Sequence, residues 1–384
     1  MKIAVTCQIT RTFLSWSQVP EIFSNKDVMM VKFSEQLKKR GFDVDLYIPD
    51  LYKPKINEDY GIKVTYVSTL LKSIFPPTQI PFTPGVFFYL RNNYDIIICS
   101  EIFQWNTVFA VLAKIFSFKR KIKVIIWQEL AAHQRFLWRM PSIFYHRVIL
   151  RFFLDQHIDL YIPCGTRARK FLISLEISAK KISRVISHGV DQEIFFYDPT
   201  IIRDNYIFSP SRLVHIKRID VLLKAFSIVI KEAKDIKLII QGEGPLLGEY
   251  QNLVQRLDIA DNVIFNTKRS PHSVMGNIYR KALCTVLCSQ SDLMVFSVKE
   301  SINCGTPVIL SRGIDFSEEF QDCKGGISFN NGDYCELAKQ LLIMIQSSSF
   351  RENMCKEALE KSKMYSNNFV IEEFQKILNK FDRL

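Results

Sequence analysis

The chain has 384 residues, of which 48% are hydrophobic and 23% charged, a balance that suits two soluble domains of ordinary size and excludes global disorder. Nine cysteines without paired spacing exclude a disulfide scaffold and suit a reducing compartment. The start, MKIAVTCQITRT, lacks a charged region followed by a long apolar one, and no uncharged apolar run reaches the ~18 residues of a spanning helix, so neither a secretory signal nor a membrane span is expected. The net charge of +12 is unevenly placed: residues 1–190 hold 27 Lys+Arg against 14 Asp+Glu (+13), leaving 24 against 25 (−1) for the rest. A field of this sign attracts phosphates, nucleic acid or an anionic lipid surface.

In chain order, residues 2–6 predict a strand. Asp27 suits the cap of a helix with apolar residues at Val28, Val31, Phe33 and Leu37, closed by Lys38, Lys39, Arg40 and Gly41. Residues 43–48, 94–99, 124–127, 159–163 and 184–187 read as further strands. A polar stretch at 191–204 separates a second series: strands at 205–208, 236–240, 263–265, 285–288 and 307–310, with helices at 219–231, 249–257 and near 298–304, and an amphipathic helix at 368–381. Strands alternating with helices imply α/β domains with parallel sheets, whose ligands bind beyond the carboxyl ends of the strands.

Four groups of residues near predicted strand ends carry chemistry. Arg212, Lys217 and Arg218, after Ser211 on a strand-to-helix loop, suit a diphosphate clamp or a solvated basic loop. Gly242 and Gly244 in Gln241-Gly242-Glu243-Gly244-Pro245 suit close approach of a ligand or an ordinary tight turn. Asp292 and Glu300, with the helix start at Phe296, Ser297 and Val298 between them, suit hydroxyl and phosphate contacts or a favourable helix dipole. Cys304-Gly305-Thr306-Pro307 reads as a helix stop and a new strand. Cys284 and Cys288 lie in an apolar run with no His nearby and read as core thiols, not zinc ligands.

The order of these groups, with His188-Gly189-Val190-Asp191 and Phe195 before them and Gly305–Ser311 and Tyr365-Ser366 after, resembles the retaining GT-B glycosyltransferases of group 1, family 4. The resemblance is strongest over residues 185–330. It implies a GT-B fold, two Rossmann-like doubly wound parallel-sheet domains facing a central cleft: residues 1–193 binding acceptor, 194–366 binding nucleotide-sugar, and a helix at 367–384 crossing back to the first domain. It implies that Arg212 and Lys217 hold the donor diphosphate and that Gly242 and Gly244 line the nucleotide pocket. Glu300 would bind the ribose, Asp292 the transferred sugar, and the backbone at Phe296, Ser297 and Val298 the sugar and phosphate. No metal and no cofactor is implied, the nucleotide-sugar being a co-substrate. The sequence departs from the family after its first strand, where Cys7–Thr12 lacks glycine, and after residue 127, where Gln128-Glu129 stands in place of a His and His133 follows. Glu129 or His133 is the candidate replacement for that contact.

The densest basic stretch, residues 114–151, contains Glu129 as its only acid and mixes cations with aromatic rings. Residues 114–123 fit either an anionic membrane surface or a solvated face over core aromatics. The expected partners are a nucleotide-sugar donor and a glycan or polyprenyl-diphosphate-linked acceptor, with no nucleic acid. The expected place is the cytoplasm, including the inner face of the membrane. The expected activity is glycosyl transfer with retention in surface polysaccharide or glycolipid assembly. The alternatives are a non-catalytic GT-B-like scaffold subunit and a nucleotide-sugar epimerase.

Overall fold

A computed structural model describes the chain apart from residues 11–20, 23, 27, 77, 119–120, 135–137, 269, 293–294, 315–316, 318–324 and 383–384. The chain forms two compact units, one made of Met1–His188 with Ile371–Leu384 and the other of Gly189–Val370.

The first unit holds strands β1 (Lys2–Thr6), β2 (Asp43–Pro49), β3 (Lys63–Val67), β4 (Ile96–Cys99), β5 (Lys123–Gln128) and β6 (Leu160–Pro163). They lie in the order β3-β2-β1-β4-β5-β6 and every pairing is parallel. The chain order reverses beside β1, which makes the gap between β1 and β4 the switch point of a doubly wound sheet. All four residues of β4 are buried, as a strand covered on both faces requires. The helix Met29–Lys39 ends as its charges dictate, with Lys38 and Lys39 in the last turn and Gly41 at φ +90° beyond it. Its proposed cap, Asp27, lies outside the described residues. The edge strand β3 escapes the sequence reading because its residues are only partly buried.

One expected strand does not form. Residues 184–187 run beside β6, held by the Ser183 amide on the Tyr161 carbonyl and the Ile186 amide on the Pro163 carbonyl, both at 2.9 Å. Donors three residues apart do not match the two-residue period of a ladder. The segment is pinned instead by the Trp127 indole, which donates to the Ile186 carbonyl at 2.8 Å.

The second unit holds β7 (Tyr206–Pro210), β8 (Lys237–Gln241), β9 (Val263–Asn266), β10 (Cys284–Leu287), β11 (Val308–Ser311) and β12 (Gly326–Phe329). Their order is β12-β11-β10-β7-β8-β9, again all parallel. With β7 counted as first, this is the strand order of the first unit. The helix Ile219–Glu232 buries Leu222, Leu223, Phe226 and Val229 against this sheet, beside Leu238, Ile240 and Ile309. Cys284 and Cys288 are buried thiols, and burial pushes the Cys284 thiol up to about 12. Residues 191–204 pack into this unit: Phe195 is buried, and the Arg203 guanidinium binds the carbonyls of Arg280, Ala282 and Gly305.

The last helix, Asn367–Asp382, belongs to the first unit from Ile371 onward. Phe374 is fully buried there, its ring 4.7 Å from that of Phe33 and 4.6 Å from that of Trp127. Phe374→Ala should cost the first unit about 3–5 kcal/mol. Trp105, Trp127 and Trp138 lie in that unit, and residues 189–370 contain no tryptophan, so urea unfolding followed by tryptophan fluorescence reads the loss directly.

Candidate functional site

In the second unit the loop after β7 and the turn after β8 lie backbone to backbone. The Ser211 amide donates to the Gln241 carbonyl at 3.0 Å, the Leu213 amide to Glu243 at 2.9 Å, and the Leu246 amide to Leu213 at 3.1 Å. The two glycines make this approach possible. A Cβ on Gly242 would lie 2.2 Å from the Ser211 carbonyl oxygen, and one on Gly244 would lie 2.3 Å from that of Leu213. On the side where a side chain would project, the space they leave is therefore occupied by the 211–213 backbone.

Arg212 is exposed and makes no ion pair among the described residues. Lys217 forms an ion pair with the Asp292 carboxylate, and Ser289 Oγ donates to the same oxygen at 3.4 Å. The loops that carry them are tied together by the Gln290 amide on the Ile216 carbonyl at 2.8 Å. Lys217 and Asp292 thus form one cluster, with the cation and the carboxylate holding each other. Arg218 does not extend the cluster: at φ +49° its guanidinium turns to Asp220 in a two-pronged contact of 2.9 and 3.0 Å.

Glu300 sits on the helix Phe296–Asn303, half-buried, and accepts the Tyr279 hydroxyl at 2.8 Å. Burial pushes its carboxyl up to about 7, against the lowering by the Tyr279 bond and the Lys299 charge. Phe296 and Ser297 open that helix, but Val298 donates its amide to the Val295 carbonyl at 3.2 Å. Val298 therefore contributes no free donor, a correction to the expected three-residue anion site. Leu293 and Met294, between the two acids, lie outside the described residues. Sequence reasoning missed Tyr279, a buried tyrosine in an unremarkable helical stretch, because only the fold brings it to Glu300.

In the first unit the two alternative residues separate. Glu129 Oε1 lies 2.8 Å from His188 Nε2. His188 is buried against the Trp127 ring, 4.2 Å away between centroids. His133 turns elsewhere, its Nδ1 3.1 Å from that of His146 and its ring against Phe171. Burial and the charges of Arg147 and Arg139 lower the His133 pKa, and burial holds His146 down at about 4, so this pair is a neutral packing element. Glu129 is the better of the two candidates, at the carboxyl end of β5.

The acid that sequence reasoning passed over is Glu101, two residues beyond β4. It is buried and accepts the amides of Ile102 and Leu130, both at 2.9 Å, together with the Gln128 side-chain amide. It thereby ties the end of β4 to the Gln128–Leu130 turn that carries Glu129. Its signal in the sequence was its place, just past a run of buried β-branched residues.

Among the described residues no group of three or more His, Cys, Asp or Glu side chains is placed to hold a metal ion. No helix among them is long and apolar enough to cross a membrane. The basic segment 114–123 is less free than its charge suggests. Lys114 and Lys123 both bind Asp159, at 2.5 and 3.3 Å, while Phe116 and Phe118 are exposed. Lys119 and Arg120 lie outside the described residues.

With this geometry in place, the likeness to known proteins is specific. Residues 191–361 match the family model for group 1 glycosyl transferases. The chain is 36% identical over 103 residues to alpha-monoglucosyldiacylglycerol synthase of Streptococcus pneumoniae, covering 27% of this chain and 23% of that protein. It is 25% identical over 219 residues to N-acetyl-alpha-D-glucosaminyl L-malate synthase of Bacillus anthracis, covering 54% of each. These matches span from under a quarter to just over half of the relatives' own lengths. Among solved structures, Anabaena Alr3699/HepE in complex with UDP gives a TM-score of 0.76 at 14% identity over 99% of this chain and 100% of that one. Sucrose-phosphate synthase of Thermosynechococcus elongatus gives 0.73 at 15% over 100% and 99%. At such identities the likeness establishes the fold: the chain has the two-unit α/β architecture of the GT-B glycosyltransferases. The family match is confined to residues 191–361, within the second unit.

Two measurements test the local physics. Gly244→Ala should lower stability by about 1–3 kcal/mol and displace the 211–213 loop, read as a drop in melting temperature and faster amide exchange there. For Glu101, burial holds the carboxyl at about 8 against 4.5 for the free group. The folded chain therefore binds more protons between those values, and stability from Glu101 is complete below about pH 4.5 and is lost as the pH rises through 8. Glu101→Gln should flatten the fall in melting temperature between pH 5 and pH 8.5.

Proposed function

We propose that the protein is a nucleotide-sugar-dependent glycosyltransferase that works with retention of anomeric configuration and passes the sugar to a glycan or lipid-linked acceptor. The observation that carries this reading is the Lys217–Asp292 pair, which joins the loops after β7 and β10, with the exposed Arg212 on the same loop as Lys217. This part of the chain also matches the group 1 family model.

In this reading the donor diphosphate takes Lys217 from Asp292. The ammonium turns to the phosphate, Arg212 adds a two-oxygen contact, and the released Asp292 carboxylate accepts a sugar hydroxyl. Departure of the nucleoside diphosphate builds negative charge on the leaving oxygen while the sugar carbon becomes oxocarbenium-like. Two fixed cations stabilise that separation more than the ground state, where the charge is more widely spread. They do so without a bound metal. Glu300 takes the ribose hydroxyls, its second role being to hold Tyr279. Retention follows when the acceptor hydroxyl attacks from the face that the phosphate leaves. Glu129, oriented by its contact with His188, is the first-unit group assigned to the acceptor side, and Glu101 positions it.

The relatives named above carry sugars to a diacylglycerol or to malate by their names, and HepE was solved with UDP. These support a UDP-sugar donor, and the diacylglycerol in the first relative's name supports the lipid-linked form of the acceptor. The basic first half favours an acceptor with a negative charge, presented at the inner membrane face. The activity serves surface glycan or glycolipid assembly.

A panel of UDP-, GDP-, ADP- and dTDP-sugars tests the reading by thermal shift. One nucleotide at about a hundred times its dissociation constant should add about 2.7 kcal/mol of stability. Arg212→Ala should weaken that ligand about tenfold or more, through loss of charge-assisted contacts, without lowering the melting temperature of the free protein. Silence of the wild type across the panel would turn the reading to a non-catalytic shell.

A further inference from the structure

The first unit contains a cavity of about 300 Å³ that the donor site does not use. Phe75, Phe103, Trp105, Trp138, Phe144 and Ile149 form most of its wall. The wall is braced by its own ring contacts, Phe75 against Trp105 at 5.2 Å and Phe103 against Tyr145 at 5.1 Å. Two of its donors are engaged within the protein: Tyr145 Oη donates to the Ile102 carbonyl at 3.0 Å, and Gln104 Nε2 to the Gln79 carbonyl at 2.7 Å. Water in such a space finds few partners, which favours an apolar occupant.

One side of the cavity is the helix Arg139–Phe144, which continues as a π-helix over Tyr145–Leu154. This helix exposes Met140, Phe144, Phe152 and Phe153. Interleaved with them are Arg139 and Arg147, neither in an ion pair among the described residues, while Arg151 binds Glu176. Residues 130–154 contain no Asp or Glu. An apolar cavity walled by a helix that carries exposed rings and arginines and no acid is complementary to one kind of molecule: an apolar chain with an anionic head. A second copy of the chain is the poorer occupant, since two first units of net charge +13 repel each other.

We infer that this cavity binds one hydrocarbon chain of a membrane lipid with an anionic headgroup, and that Arg139 and Arg147 hold the head. That this lipid is the sugar acceptor rests on the function proposed above; that the cavity binds a hydrocarbon chain does not. At the packing density of a protein interior the space takes on the order of ten methylenes.

Trp105 and Trp138 in the wall supply the readout. Alkyl phosphates of six to sixteen carbons, kept below their micelle concentrations, are titrated against the full chain by tryptophan fluorescence. The dissociation constant should fall about fourfold per added methylene, the ratio given by the usual transfer free energy of a buried methylene. It should level off near ten carbons, when the cavity is full. The alcohol of equal length should bind more weakly than the phosphate, and inorganic phosphate should leave the fluorescence unchanged. Val108→Phe, which fills the cavity, should weaken the ten-carbon phosphate at least about tenfold, whereas Phe118→Ser on the basic segment should not. The wild-type series stands without the variant should Val108→Phe fail to fold. Binding that appears only with micelles, or that rises with no plateau, overturns the inference. So does a doubling of mass by light scattering that Phe144→Arg abolishes, with no response to alkyl chains. A UDP-sugar thermal shift on the same sample separates the two readings. A shift without chain binding overturns the cavity assignment and leaves the transferase; chain binding without a shift sustains the cavity, and silence across the whole nucleotide-sugar panel removes the transferase.

Discussion

Parallel pairing is the constraint from which the rest follows. Every strand in both sheets runs in the same direction as its neighbours, so each connection must return across a sheet face before the next strand can start. The returns bury both faces, and the strands become short runs of Ile, Val, Leu and Cys such as Ile96–Cys99. The same constraint gathers the carboxyl ends of the strands on one edge of each sheet. Loops at that edge are free of core packing and can carry charge. Arg212, Lys217, Asp292 and Glu101 all stand on such loops, and Glu300 stands in the first helix after one.

What holds these charges in place differs between the units. In the second unit it is backbone contact: the 211–213 loop sits so close to the 242–244 turn that no side chain fits between them. The cations then follow from the loop's position. In the first unit it is a buried carboxylate with three donors, Glu101, which links two strand ends. A buried carboxyl of raised pKa is a less rigid device than a backbone contact, because its grip depends on pH. The two loops therefore respond differently to conditions, one governed by steric fit and the other by protonation.

Much of this was legible in the chain. The alternation of apolar runs with helical spacing placed ten of the twelve strands to within a few residues. The missed strands are informative. β3 is an edge strand whose half-exposed residues weaken the signal, and β12 is a four-residue run that opens on the second of two glycines. The false strand at 184–187 had the right composition but its amide donors fall out of step with the ladder. For the site, the charged residues were found from their places after strands. Their pairings were not, because Lys217 and Asp292 are 75 residues apart and no local rule connects them. The glycines were noticed for close approach, and the approach the structure shows is that of the 211–213 backbone.

By itself, then, the sequence determined the class of fold, the two-part organisation, the asymmetry of charge and the residue types available for chemistry at strand ends. These are properties of periodicity and composition, which are local and additive. Only the tertiary structure decided which of those residues face one another: Lys217 with Asp292, Glu300 with Tyr279, Glu129 with His188, and His133 with His146. It also decided that Lys114 and Lys123 share the single carboxylate of Asp159. Such pairings depend on distances set by the packing of whole helices on sheets, and those distances are not encoded in any window short enough to read along the chain.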